Sequence, residues 1–231
     1  MKRIVYKALL FFLSISFTQG QEIETIQMQF SREVQRENNT ETSQGYIYYQ
    51  QNKVIIKITE PIRQWMILEA GTMLIYYPDE NEALRFNNTL QTNIPFLDFF
   101  IRIVNEDFGL SDLGYRIDKS EFINDTLFTN WIPDEKFKER MGTVSLALYD
   151  NRVVFSESKD PKGKTMIKIH FQNYMAYQSK YLPMKMTIYQ YLDNGIIIEN
   201  IVYSNPRINE PLPREISEFE IPETVNIEDI E

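Results

Sequence analysis

The chain has 231 residues, 43% of them hydrophobic, enough to bury one substantial core. It has a formal charge of −9 and no cysteine. Together these exclude disulfides, thiolate metal sites, a lipidated cysteine, and general electrostatic binding of nucleic acid or anionic membrane surfaces.

Residues 1–20 differ from the rest. Lys2, Arg3 and Lys7 flank a short apolar run from Ala8 to Phe17, and Thr18-Gln19-Gly20 offers small residues before a cut. This is the pattern of a cleavable secretory signal peptide, with an apolar run too short to cross a bilayer. Cleavage before Gln21 would remove three cations and take the net charge from −9 to −12. Export without cysteine suggests a bacterial periplasm. Residues 21–231 are expected to form a single soluble domain and a monomer. The Asn-x-Thr triplets at Asn38, Asn87 and Asn124 read as turn residues in that setting.

From Ile23 to Val34 apolar residues suggest a short helix running into a strand. Glu37 to Glu41 is a polar turn, and Gly45 to Tyr49 is a second strand. Between Gly45 and Asn87, short apolar runs are separated by turn signals at Gln51-Asn52, Glu60-Pro61, Ala70-Gly71 and Pro78 to Asn81. Val54, Ile56 and Ile58 alternate with Lys53, Lys57 and Thr59. This period of two, with β-branched residues and turns about ten residues apart, predicts an antiparallel meander.

The period then changes. Asn93 and Pro95 suit the start of a helix, and Phe96, Phe99, Phe100 and Ile103 share one helical face. Asp98 and Arg102, four apart, interrupt an otherwise apolar segment. Such a helix is expected to be swallowed by the hollow of a sheet. Residues 105–114 continue as a short helix or loop.

Strands resume over Gly114–Ile123, Thr126–Pro133, Thr143–Tyr149, Arg152–Ser156, Lys164–Phe171, Met184–Leu192 and Ile196–Tyr203. Turns fall at Tyr149-Asp150-Asn151, Asp160 to Gly163 and Asp193-Asn194-Gly195, the last a strong hairpin signal. The acidic, proline-containing tail suggests an edge contact through Phe219 and Ile221, then a frayed end. The expected fold is mainly β: an unclosed antiparallel half-barrel of about ten or eleven strands with a helical lid or plug.

Catalytic constellations are absent. His170, the single histidine, falls on the polar face of its strand. No phosphate loop, Gly-x-Ser-x-Gly elbow or EF-hand spacing occurs. An enzyme, a metal site or a cofactor is not expected. Fifteen Phe, fourteen Tyr and nine Met suit either an ordinary β core or a lining for flexible apolar ligands.

Four pieces of the meander resemble the LolA-like family of periplasmic outer-membrane lipoprotein carriers. They are Gly45-Tyr46-Ile47-Tyr48, Ile58-Thr59-Glu60-Pro61, Trp65 to Gly71 and Leu74 to Pro78. The following helix, Leu182-Pro183-Met184, Asn205 to Leu212 and Phe219 to Pro222 also fall where that family places such features. The resemblance implies an open barrel with an apolar cavity for acyl chains. It implies a function in taking a lipoprotein from an inner-membrane ABC-type exporter to an outer-membrane acceptor. Inward positions Val54, Ile56, Ile58, Leu146, Ile169, Met186 and Ile188 would line the cavity. Phe96, Phe99, Phe100 and Ile103 would plug it when empty. The family's Arg-Pro pair before the third strand is missing: Tyr49-Gln50-Gln51-Asn52 stands there, leaving Arg63 or Lys53 as lid-holding cations. The alternative function is a non-carrier envelope sensor or protein-binding module on the same fold.

Overall fold

The computed structural model describes residues 23–37, 39–50, 53–69, 71–87, 108–178 and 180–230. The first half of these residues forms β1 (Thr25–Arg36), β2 (Asn39–Gln50), β3 (Lys53–Glu60), β4 (Gln64–Glu69), β5 (Thr72–Tyr77) and β6 (Glu82–Phe86). Then come β7 (Tyr115–Ile123), β8 (Thr126–Pro133), β9 (Val144–Tyr149), β10 (Arg152–Lys159), β11 (Thr165–Tyr177), β12 (Lys180–Leu192), β13 (Gly195–Ile208) and β14 (Asn226–Ile230). A 3-10 turn at Glu135–Phe137 and a one-turn helix α1 (Arg214–Ser217) are the helical elements among the described residues.

All the strands join one 14-stranded sheet in the order β14-β6-β5-β4-β3-β2-β1-β13-β12-β11-β10-β9-β8-β7. Two meanders, β1–β6 and β7–β13, meet where β13 pairs with β1. The sheet does not close: β14 and β7 are its edges. It is the expected unclosed half-barrel, but wider than ten or eleven strands. It is also not wholly antiparallel, because β14 pairs in parallel with β6. The acidic run Glu228-Asp229-Ile230 belongs to that strand rather than to a frayed tail.

The strand boundaries follow from local chemistry. Left-handed backbone at Asn124-Asp125 and Asp150-Asn151 makes the two-residue turns β7–β8 and β9–β10, the geometry that matches strand twist. Gly45 lies where the backbones come closest. A Cβ there would sit 2.0 Å from the Lys57 carbonyl oxygen, so only glycine lets β2 meet β3 beside the register shift at Gln44/Gly45. The N-terminal segment is extended from Thr25, not helical. Long-range pairing of β1 with both β2 and β13 overrides the ambiguous spacing of Ile23 and Ile26.

Both faces of β2–β5 are apolar. On the inner face Ile47, Ile56 and Met66 stand opposite one another, as do Tyr49, Val54 and Leu68. On the outer face Tyr48, Ile55, Ile67 and Leu74 do the same. The C-terminal segment covers that outer face. Ile216 of α1 packs with Tyr48 and Ile55, and Leu212 and Phe219 join them. Phe219 stacks on Trp65 at 4.2 Å, and Val225 packs with Tyr76 and Ala83. Strands buried on two faces carry continuous apolar runs, which is why Ile55 breaks the alternation of β3.

The helix expected around Phe96, Phe99, Phe100 and Ile103 lies outside the described residues. So do residues 1–20 and Asn38.

Candidate apolar binding face

The inner face is built by the period-two geometry of strands paired in register. Phe171, Met186 and Ile201 align across β11, β12 and β13, and Ile169, Ile188 and Glu199 form the next row. Ile26, Met28 and Phe30 continue the apolar face along β1. The result is one buried cluster that includes Ile26, Met28, Phe30, Ile47, Val54, Ile56, Val153, Phe171, Met186, Ile188, Ile201 and Tyr203.

Of the residues expected to line a cavity, Val54, Ile56, Met186 and Ile188 belong to this cluster. Ile58 and Ile169 pack against it. Leu146 belongs to a neighbouring cluster with Leu110 and Trp131. Phe108 and Leu148 pack against both clusters and join them. The seven positions therefore face one continuous apolar tract running from β3 to β9. Within it Trp131 Nε1 donates to Thr129 Oγ1 at 2.9 Å, so this indole reaches a partner without leaving the apolar surroundings. The Tyr174 hydroxyl donates to the carbonyl oxygens of Val153 and Phe171. Burial pushes its phenol up to about 12, against the opposing pull of Arg152.

One polar pair interrupts the tract. Arg32 and Glu199 stand on the same face as Phe30, Val34 and Ile201, because Arg32 is opposite Ile201 and Glu199 is opposite Val34. Arg32 Nε donates to Glu199 Oε1 at 2.5 Å. The Glu199 side chain is 2% exposed and that of Arg32 32%. Tyr203 lies on the same face. Its phenol is pushed upward by burial, with the Glu199 carboxylate adding to the effect. Neither Arg32 nor Glu199 was marked out by the sequence analysis. The signal was there: each is a single charge in an alternating apolar series, Ile26-Met28-Phe30-Arg32-Val34 and Ile197-Glu199-Ile201-Tyr203.

The cations considered for holding a lid are engaged within the meander. Lys53 pairs with Glu69 at 3.4 Å, and Arg63 pairs with Asp79. His170 is exposed, with its ring between Phe155 and Tyr189. Among the described residues no three His, Cys, Asp or Glu side chains gather in a metal-binding group. No described helix is long and apolar enough to cross a membrane.

No protein-family model and no curated protein matches the sequence. Solved structures do resemble the fold. A LolA superfamily protein from Nitrosomonas europaea superposes with a TM-score of 0.58 at 14% identity, over 85% of this chain and 91% of that one. A putative outer membrane lipoprotein-sorting protein domain from Vibrio parahaemolyticus gives 0.62 at 16% identity, over 85% and 90%. A DUF1329 family protein from Desulfovibrio piger gives 0.62 at 15% identity, over 84% and 89%. The fold is LolA-like.

Proposed function

We propose that this chain is a periplasmic carrier that shields the acyl chains of lipoproteins, or of related lipids, and delivers them toward the outer membrane. The observation behind this reading is the continuous apolar tract on the inner face of an open sheet. A structural neighbour described as a lipoprotein-sorting domain agrees with it. The signal-like residues 1–20 supply the route to the periplasm.

The energetics explain why a sheath is needed. Each CH₂ moved from water to an apolar site is worth about 0.8 kcal/mol, so a bare chain of about sixteen carbons would cost on the order of 10 kcal/mol to expose. In the proposed cycle Phe96, Phe99, Phe100 and Ile103 occupy the tract when the carrier is empty. Acyl chains displace them and pack against Val54, Ile56, Ile58, Leu146, Ile169, Met186 and Ile188. Because the empty tract is already satisfied, binding is weak enough to permit release. Loading would come from an inner-membrane ABC-type exporter and unloading would be to an outer-membrane acceptor. No bond is made or broken.

The test is uptake of a fluorescent acyl probe by the purified protein and by a Phe99→Asp variant. Phe99 is the better position for a charge, since Met186 is fully buried and a charge there would threaten the fold. The proposal expects saturable uptake by the wild type and loss of uptake in a variant that still unfolds cooperatively. Equal uptake by both would remove Phe99 from the site. No uptake by the wild type would favour a protein-binding module on the same fold.

A further inference from the structure

We infer that Arg32, held by Glu199, is the recognition point for the anionic head of the acyl ligand, a phosphate or carboxylate group seated where this pair interrupts the apolar tract. This inference rests on the carrier reading and names the chemistry that its site selects.

An ion pair inside an apolar face is not explained by stability. Replacing such a pair with apolar residues of similar volume is often neutral or stabilising. The pair at Arg32 and Glu199 is asymmetric in a useful way. Glu199 is 2% exposed in its side chain and flanked by Ile188 across the β12 pairing and Val34 across the β1 pairing. Its one ion-pair partner among the described residues is Arg32. Arg32 is 32% exposed and uses Nε for the pair. Its two Nη groups make no hydrogen bond among the described residues. A guanidinium fixed through Nε keeps its outer edge available, and that edge matches the oxygens of a phosphate or carboxylate.

Position agrees with this role. Along β1 the inner face runs Ile26, Met28, Phe30, Arg32 and Val34, so the guanidinium interrupts the apolar series between Phe30 and Val34. On β2 the residue opposite Phe30 is Gly45, and the residue opposite Arg32 is Ser43. On the β2 side the wall beside Arg32 is therefore small and polar where the wall beside Met28 is Ile47, while Ile201 stands beside Arg32 on β13. An amphiphile with its chain over Met28, Ile47 and Ile56 would bring its head to this gap. Glu41, farther along the same face, is exposed and accepts from Asn39 Nδ2, so it leaves Arg32 paired with Glu199. The chain's net charge of −9 repels anions in general, so any preference for an anionic head must come from a local group.

The experiment compares twelve-carbon probes, dodecyl phosphate and laurate against uncharged monolaurin, because a few placed polar groups orient such ligands in an apolar site. They are titrated into the wild type and into the double variant Arg32→Leu/Glu199→Leu. Removing both charges avoids stranding a buried carboxylate, so the fold is kept. The expected result is a preference of roughly tenfold or more for the anionic probes in the wild type, the order of one charge-assisted hydrogen bond. That preference should vanish in the double variant while monolaurin binding stays. An equal affinity of the wild type for charged and uncharged probes overturns the head-group role and leaves the carrier reading intact. A preference that survives in the double variant also overturns it. Failure of every probe to bind the wild type removes the acyl tract itself, and the head-group inference with it.

Discussion

The Arg32–Glu199 pair can be tested as a structural unit before any ligand is known. Glu199 is almost wholly buried, and its carboxylate is compensated by Arg32 Nε at 2.5 Å. Arg32→Leu strands that carboxylate in apolar surroundings. Breaking a buried pair in this way costs about 3–5 kcal/mol, and the partial exposure of Arg32 places the expected loss near the lower end, about 3 kcal/mol. With a urea m-value of about 3 kcal/mol per M for a chain of this size, the midpoint should fall by about 1 M. Arg32→Leu/Glu199→Leu should recover most of that, giving a coupling of about 3 kcal/mol between the two sites. The assay is urea unfolding followed by tryptophan fluorescence and circular dichroism, with coincident transitions required. A double variant no more stable than Arg32→Leu alone would show that the pair is not a coupled buried unit, and the reasoning would be wrong.

Other expectations follow from the same geometry. Phe219→Ala removes the stack on Trp65 and uncovers part of the outer face, so it should destabilise by about 2–3 kcal/mol and shift Trp fluorescence toward that of a wetter indole. Gly45→Ala pushes a methyl into the Lys57 carbonyl, with a predicted loss of at least about 2 kcal/mol in thermal or urea unfolding. Glu157 offers a pH test. Burial works against its ionisation, but the Thr165 hydroxyl and the Lys159 and Lys168 ammonium groups outweigh that and hold its carboxyl below the usual 4.5. Its contribution is therefore present above pH 4.5 and lost as pH falls through the lowered value. The stability gap between wild type and Glu157→Gln should be constant near neutrality and close in acid; a gap that widens below pH 4 would contradict the assignment.

Much of the half-barrel could be read from the chain because its signals are local. Alternation and Asn- or Gly-containing turns placed β7, β8 and β9 within a residue of their ends, and β3 through β5 nearly as well. What escaped was non-local or unpunctuated. The β11–β12 hairpin turns near Gln178, a residue with no turn preference that nevertheless adopts a φ of 52°, so both strands were read too short. The parallel partner of β6 sits far away in sequence, and parallel pairing leaves no hairpin signature. Ile55 was passed over in an otherwise alternating strand, although its burial under Ile216 was the clue that the tail covers the outer face. The inner-face positions were legible by parity; the lone charges at Arg32 and Glu199 stood out in their alternating series, but such a charge reads as a solvent-facing exception until both neighbouring strands are known.

The most direct test of the carrier account is native mass spectrometry of the protein purified from the cells that make it, followed by lipid extraction. The account predicts a fraction of the protein with an added mass that releases acyl-bearing species on extraction. A uniformly unliganded mass, from protein that also refuses added acyl probes, would contradict it.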